Sequence, residues 1–206
     1  MKASYVFLIV CISVSSDGLA QVSDSIDHYP DGSVRARGPV FRSVKTGTWT
    51  FYYPNGTISA LENFDNGKLH GPLVYYYPDG AIQGTEQWGH GSLEDSAFYF
   101  YRTESLEKKG RYRNSQYDGL WMYYHETGNL ARTVNYVDGF PEGETRVFSV
   151  AGTLLQEGHY HLGKESGVWK FYGETGLMEF EGSYREGVRT GVWYQYQQGK
   201  KRVWKY

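Results

Sequence analysis

Thr46-Gly47-Thr48-Trp49-Thr50-Phe51-Tyr52-Tyr53-Pro54-Asn55-Gly56 is answered 24 residues later by His70-Gly71-Pro72-Leu73-Val74-Tyr75-Tyr76-Tyr77-Pro78-Asp79-Gly80. Gly47, Gly71, Gly119, Gly143, Gly167 and Gly191 lie on the same 24-residue ruler, with Asp95 in the one slot that is not glycine. Gly32, Gly56, Gly80, Gly128, Gly152 and Gly176 form a second ladder, and Gly67, Gly91, Gly139, Gly163 and Gly187 a third. A fixed period of this kind describes a repeat array whose units lean on their neighbours, and it overrides length as a guide to domain count.

Inside one unit, Trp49 to Tyr53 reads as an outgoing strand and Pro54-Asn55-Gly56 as a turn. Ile58 to Phe64 returns, and Asp65-Asn66-Gly67 turns again. Phe64, Trp88, Tyr112, Tyr136, Tyr160 and Tyr184 form an aromatic column. Ile58, Ile82, Leu106, Leu130, Leu154 and Met178 form an aliphatic one six residues away, which strand parity places on the same face. On the outgoing strand Trp49, Trp121, Trp169 and Trp193 share a slot held elsewhere by Leu73, Ala97 and Thr145. Tyr52, Tyr76, Phe100, Tyr124, Phe148, Tyr172 and Tyr196 occupy a slot of opposite parity, so aromatics are expected on both faces.

The expected fold is all-β: an elongated, single-layer antiparallel sheet of stacked 24-residue hairpins, with thirteen or fourteen strands. A lone hairpin buries too little to offset its ordering entropy, so the units need one another. Residues 21–45 read as an N-terminal segment with a partial repeat around Tyr29 to Val34, 46–189 as six repeats, and 190–206 as a shortened C-terminal cap. Lys200, Lys201, Arg202 and Lys205 fall on the final strand, where charge discourages edge pairing.

Residues 1–20 differ in kind. Lys2 precedes an apolar run from Tyr5 to Val14, and Gly18-Leu19-Ala20 precedes Gln21. A run of about ten residues is short for a spanning helix, which needs about 20. It reads as a secretory signal cut after Ala20, which implies export to the periplasm or cell surface. Cys11, the sole cysteine, falls inside that segment. Leu8-Ile9-Val10-Cys11 departs from a lipoprotein cleavage box because Val10 is not small. The chain after Ala20 has no thiol, so neither a disulfide scaffold nor thiol catalysis is open to it. With 21 basic and 23 acidic residues it carries a formal charge of −2 and no basic block of the kind nucleic acids require.

The strings Gly47-Thr48-Trp49-Thr50-Phe51-Tyr52-Tyr53-Pro54-Asn55-Gly56, Gly71 to Gly80 and Gly119-Leu120-Trp121-Met122-Tyr123-Tyr124 resemble the variant MORN repeat of bacterial YwqK-like proteins. The likeness covers Tyr29 to Tyr206. It implies an antitoxin-type role, in which the chain binds and neutralises a toxic protein; other MORN proteins imply scaffolding and membrane contact. An export signal would recast the antitoxin role as immunity against a toxin met in the envelope. The third unit departs from the pattern, because Asp95, Glu104 and Ser115 replace all three glycines. Neutral drift and a local kink or partner-specific patch are the two readings of that change.

Chemistry-bearing patterns are scarce. Glu157, His159 and His161 alternate along one strand opposite Tyr160, a spacing open to a metal, yet the corresponding positions of other units are polar and solvated in pattern. Glu179 and Glu181 likewise alternate, without the cleft a glycosidase requires. Phosphate loops and hydrolase motifs are absent, and turns are expected to account for the abundant glycines, with none left over. No catalytic residue, metal ligand or cofactor is therefore expected. The expected role is non-enzymatic protein binding through the Tyr52, Tyr76, Phe100, Tyr124, Phe148, Tyr172 and Tyr196 column, since aromatic anchors suit binding hot spots. A scaffold contacting envelope glycan or membrane is the alternative.

Overall fold

A computed structural model describes residues 21–204, and the signal-like segment and its cleavage point lie outside them. The described residues contain no helix and form eighteen antiparallel strand segments in one sheet. Val44–Lys45 with Gly47–Tyr52, and Lys68–Leu69 with Gly71–Tyr76, are single rungs broken at one residue, which leaves sixteen rungs. Each rung pairs with the one before and the one after it, from Ser23–His28 at one edge to Lys200–Trp204 at the other. The sheet is open and meandering, with sixteen rungs where the ruler predicts thirteen or fourteen. Two of these rungs, Ser23–His28 and Val34–Phe41, form a hairpin in the stretch read as a partial repeat. It escapes the ruler because Ser25 stands 24 residues before Trp49, in the tryptophan slot.

All three glycine ladders sit at backbone positions with positive φ. Tyr53 and Thr57 bracket a three-residue loop in which Gly56 N–H donates to Tyr53 O at 2.9 Å, a type I turn closed by a left-handed residue. On the opposite margin, Asn66-Gly67 and Asp138-Gly139 carry positive φ at both central residues, the type I′ geometry that matches strand twist. Asp95, Glu104 and Ser115 adopt the same left-handed conformation, with φ of 58°, 65° and 61°. The third unit therefore keeps the repeat's backbone path, and the local-kink reading is corrected.

Fixed outward-facing rows require a regular pleat, and the pleat breaks both within hairpins and again between successive hairpins. Phe51 pairs with Ala60 but Tyr52 pairs with Ile58, so Ser59 is a bulge. The bulge turns Ile58 onto the face of Tyr52, while Phe64 stays beside Trp49 at a 6.4 Å ring separation. The expectation that the Phe64 and Ile58 columns share a face is thus overturned, because one extra residue reverses parity.

The tryptophan face holds the core. Trp121, Trp169 and Trp193 are fully buried, although the sheet has a single layer. Each lies flat on the strand before it, over a glycine: a Cβ added at Gly110, Gly158 or Gly182 would fall 2.1–2.2 Å from the ring of Trp121, Trp169 or Trp193. Gly38 stands in the same relation to Trp49, at 2.5 Å. Lys109 pairs with Met122 and Arg111 with Asp118, so the Gly119–Trp121 stretch bulges across Gly110 alone. The Trp121 indole N–H then donates to Arg111 O at 3.0 Å, as Trp49 does to Pro39 O at 2.9 Å. Edge-on contacts from Tyr112 to Trp121, Tyr160 to Trp169 and Tyr184 to Trp193, at 5.0–5.2 Å, close the packing. Along the margin, the hydroxyls of Tyr29, Tyr53, Tyr77 and Tyr101 each donate to a backbone carbonyl 23 residues on, at 2.7–2.8 Å, and tie unit to unit.

Candidate functional site

The other face is the more open one. Its margin carries Tyr52, Tyr76, Phe100, Tyr124, Phe148 and Tyr172, paired across their hairpins with Ile58, Ile82, Leu106, Leu130, Leu154 and Met178. Tyr196 ends the row opposite Lys201. All seven rings are half-buried. Their polar tips are engaged locally: Tyr172 and Tyr196 donate to Glu157 and Glu181 at 2.8 Å, and Tyr124 reaches the Met122 sulfur at 3.3 Å. Cations lie over several rings, Arg37 at 5.6 Å from Tyr52 and Lys109 at 5.8 Å from Tyr124.

Inboard of that row the same face dips into a trough. One depression of about 210 Å³ lies between Phe98, Lys109, Arg111, Leu120 and Met122. Leu120 continues into a second of about 340 Å³ with Thr133, Asn135, Glu144 and Arg146. Glu144 and Arg146 lead to a third of about 330 Å³ bounded by Glu157, His159, Val168 and Lys170. Large apolar side chains stand open in it, with Leu120 50% and Val168 55% exposed. Such side chains on a strand's outward face do nothing for the tryptophan core.

Charge along the trough is graded. Lys109, Arg111 and Arg113 share one strand of the third unit, and Asp118, itself buried, draws both Arg111 and Arg113. Farther along, Glu157 receives Tyr172 O–H and Lys170 Nζ at 3.2 Å, with Arg146 at 4.0 Å. The hydrogen bond from Tyr172, with Lys170 behind it, lowers the Glu157 pKa despite partial burial. Burial first and this same carboxylate second push the Tyr172 phenol up to about 12.

Glu157, His159 and His161 do not converge. Glu157 is held by Tyr172 and Lys170, His159 lies 3.9 Å from Glu144, and His161 Nδ1 lies 3.1 Å from Glu142. Among the described residues no group of three His, Cys, Asp or Glu is placed to hold a metal ion. Glu179 is itself the bulge residue between Met178 and Phe180, whereas Glu181 lies in the regular ladder and is taken by Tyr196 and Lys201.

Pattern reading missed one polar cluster. Glu86, buried on the tryptophan face, accepts from Tyr99 O–H at 2.6 Å, Tyr75 O–H at 2.9 Å and the Trp88 indole at 3.0 Å. Burial, then the Glu86 carboxylate, raises the pKa of both phenols. The signal was present in the sequence: Glu86 occupies the slot that is Gly110, Gly158 and Gly182 elsewhere, and the residue across from it is Ala97 rather than tryptophan. Satisfied on three sides, Glu86 is a packed structural carboxylate rather than a solvent-facing site.

The family model described as a MORN repeat variant matches residues 45–66 and 117–138. No curated protein matches the chain. Among solved structures the chain is similar to one in the crystal structure of TcdB2-TccC3-Cdc42, at 9% identity, a TM-score of 0.20 and 84% of this chain covered. Another is in the crystal structure of TcdB2-TccC3, at 10% identity, a TM-score of 0.20 and 84% of this chain covered. This chain spans 13% of the length of each.

Proposed function

We propose that this chain is a non-enzymatic protein-binding array, which docks a partner protein on the face opposite its tryptophans. One observation carries the reading: that face keeps Phe98, Leu120, Val168 and Val192 between 39% and 55% exposed, beside a continuous aromatic row. Half-exposed aromatics flanking open aliphatics, with cations beside them, suit a protein hot spot. The depressions are shallow and mutually continuous, which suits an extended surface better than a small molecule. The matches to the MORN repeat variant at residues 45–66 and 117–138 support a binding role. The likeness to YwqK-like repeats supports an antitoxin- or immunity-like form of that role, and the signal-like sequence of residues 1–20 supports a partner met in the envelope.

The test compares wild type with a Leu120→Asp/Val168→Asp variant in cross-linking and capture from envelope extracts, with far-UV circular dichroism as the folding control. A stoichiometric protein retained by wild type and lost from the folded variant supports the proposal. Retention by purified cell-wall glycan or lipid vesicles, unaffected by the two substitutions, would overturn it in favour of a scaffold.

A further inference from the structure

The two ends of the sheet fit each other. Rungs alternate in direction, and with sixteen of them the last runs opposite to the first. A second copy laid end-on, with its Ser23–His28 rung beside Lys200–Trp204, would therefore continue the sheet antiparallel, as every internal rung does.

Internal pairing sets the register of such a junction. Trp204 pairs with Trp193 as Gly182 pairs with Trp169, so Arg202 and Val203 occupy the slots of Phe180 and Glu181. Those slots face Gln195 and Tyr194 of the next rung, and residues 27 and 26 lie seven periods before Gln195 and Tyr194. The repeat's own register thus sets Arg202 against Asp27 and Val203 against Ile26. The first is a match of opposite charge. The second brings together two aliphatic side chains that are 62% and 56% exposed in the single chain. Trp204 stands in the glycine slot and would meet Ser25, which stands in the tryptophan slot. Large and small are exchanged across the junction with their sum kept, where two tryptophans or two small residues would clash or leave a void.

Charge extends the match beyond the paired residues. Asp24 and Asp27 lie on the first rung, and Lys200, Lys201 and Arg202 on the last. Asp27 already holds Arg35, an exposed pair that Arg202 would join rather than displace. Lysines on an edge repel a like edge, yet they attract an acidic one.

We propose that this chain associates head to tail with further copies of itself by sheet extension, the Lys200–Trp204 edge of one copy pairing with the Ser23–His28 edge of the next. The interface is heterologous, so growth does not stop at two copies.

Sedimentation velocity of the full chain as purified, over a concentration series, tests this. The weight-average mass rises past that of a dimer at low salt and falls several-fold in about 0.5 M salt, where the Debye length is only a few Å. Arg202→Asp alone and Asp27→Arg alone each abolish association while keeping the wild-type circular dichroism melt. An equimolar mixture of the two variants restores it, because each junction is again of opposite charge. A protein that stays monomeric throughout, one that stops at dimers, or single variants that associate like wild type would overturn the proposal.

Discussion

Trp121 owes its complete burial to an absence, since the strand beneath it has no side chain at Gly110. The same slot pair elsewhere reads Glu62 with Leu73, Glu86 with Ala97, and Val134 with Thr145, so tryptophan appears only where its partner is glycine. Trp121→Ala is expected to cost about 3–5 kcal/mol, because its cavity cannot collapse in a single-layer sheet. Gly110→Val should also destabilise, by at least about 1–3 kcal/mol, because the ring has nowhere to move. The double variant Gly110→Val/Trp121→Thr copies the Val134 and Thr145 pair, and should recover part of the summed loss. Urea melts of wild type, Gly110→Val, Trp121→Thr and the double variant measure the coupling, and strict additivity would refute the slot-pair account. Glu157 supplies a pH-dependent term. Its pKa is lowered in the fold, so its stabilisation is present above the unfolded glutamate value of about 4.3 and is lost as pH falls through the lower folded one. Melting temperature followed from neutral pH into the acid range should fall less steeply for Glu157→Gln than for wild type. The tryptophan slot was legible from the period alone. Its glycine partner was not, because pattern reading assigns glycine to turns, and Gly110 is a mid-strand residue that needs no positive φ.

At the level of the hairpin, the third unit shows how firmly neighbours impose a backbone path. Glu104 holds a φ of 65°, in a slot that is glycine in the units on either side. A left-handed L-residue costs about 1–2 kcal/mol, of which glycine's greater unfolded freedom returns about 0.5–1. Glu104→Gly is thus expected to stabilise the array by up to about 1.5 kcal/mol, seen as a higher melting temperature; a lower one would mean that Glu104 makes a contact worth more than its strain. Turn positions could be read directly from the ruler, whereas the number of rungs could not. The facing of the returning strand could not, because one bulge per hairpin reverses parity and leaves no mark in composition. The Ser23–His28 rung was invisible for a related reason: serine, aspartate and isoleucine carry no aromatic signature, and the rung is held by its neighbour Val34–Phe41.

Over the whole molecule, one aromatic face and one mixed face follow from the same 24-residue repeat, yet they serve different ends. The tryptophan face is consumed by packing. The Tyr52 to Tyr196 row was legible as a column, but its company was not, because Phe98, Leu120 and Val168 come together only when three rungs are set side by side. Likewise Lys109 and Arg111 of the basic strand lie on the trough wall in the unit whose three ladder glycines have gone, so this unit differs from its neighbours in side chains and not in path.

The even number of rungs also settles where the chain enters and leaves. Ser23 starts at the long margin of the Arg42-Ser43 turn and the last strand runs back toward that margin, its Trp204 lying beside Trp193 in mid-sheet, while every three-residue loop from Pro54-Asn55-Gly56 onward projects from the margin opposite. Fusions joined at either terminus would hang from one side of the plank like weights from a keel. The loop margin and both broad faces would stay clear, while the edge strand beside each fusion would be crowded, so a tag at either end is itself a probe of end-on association.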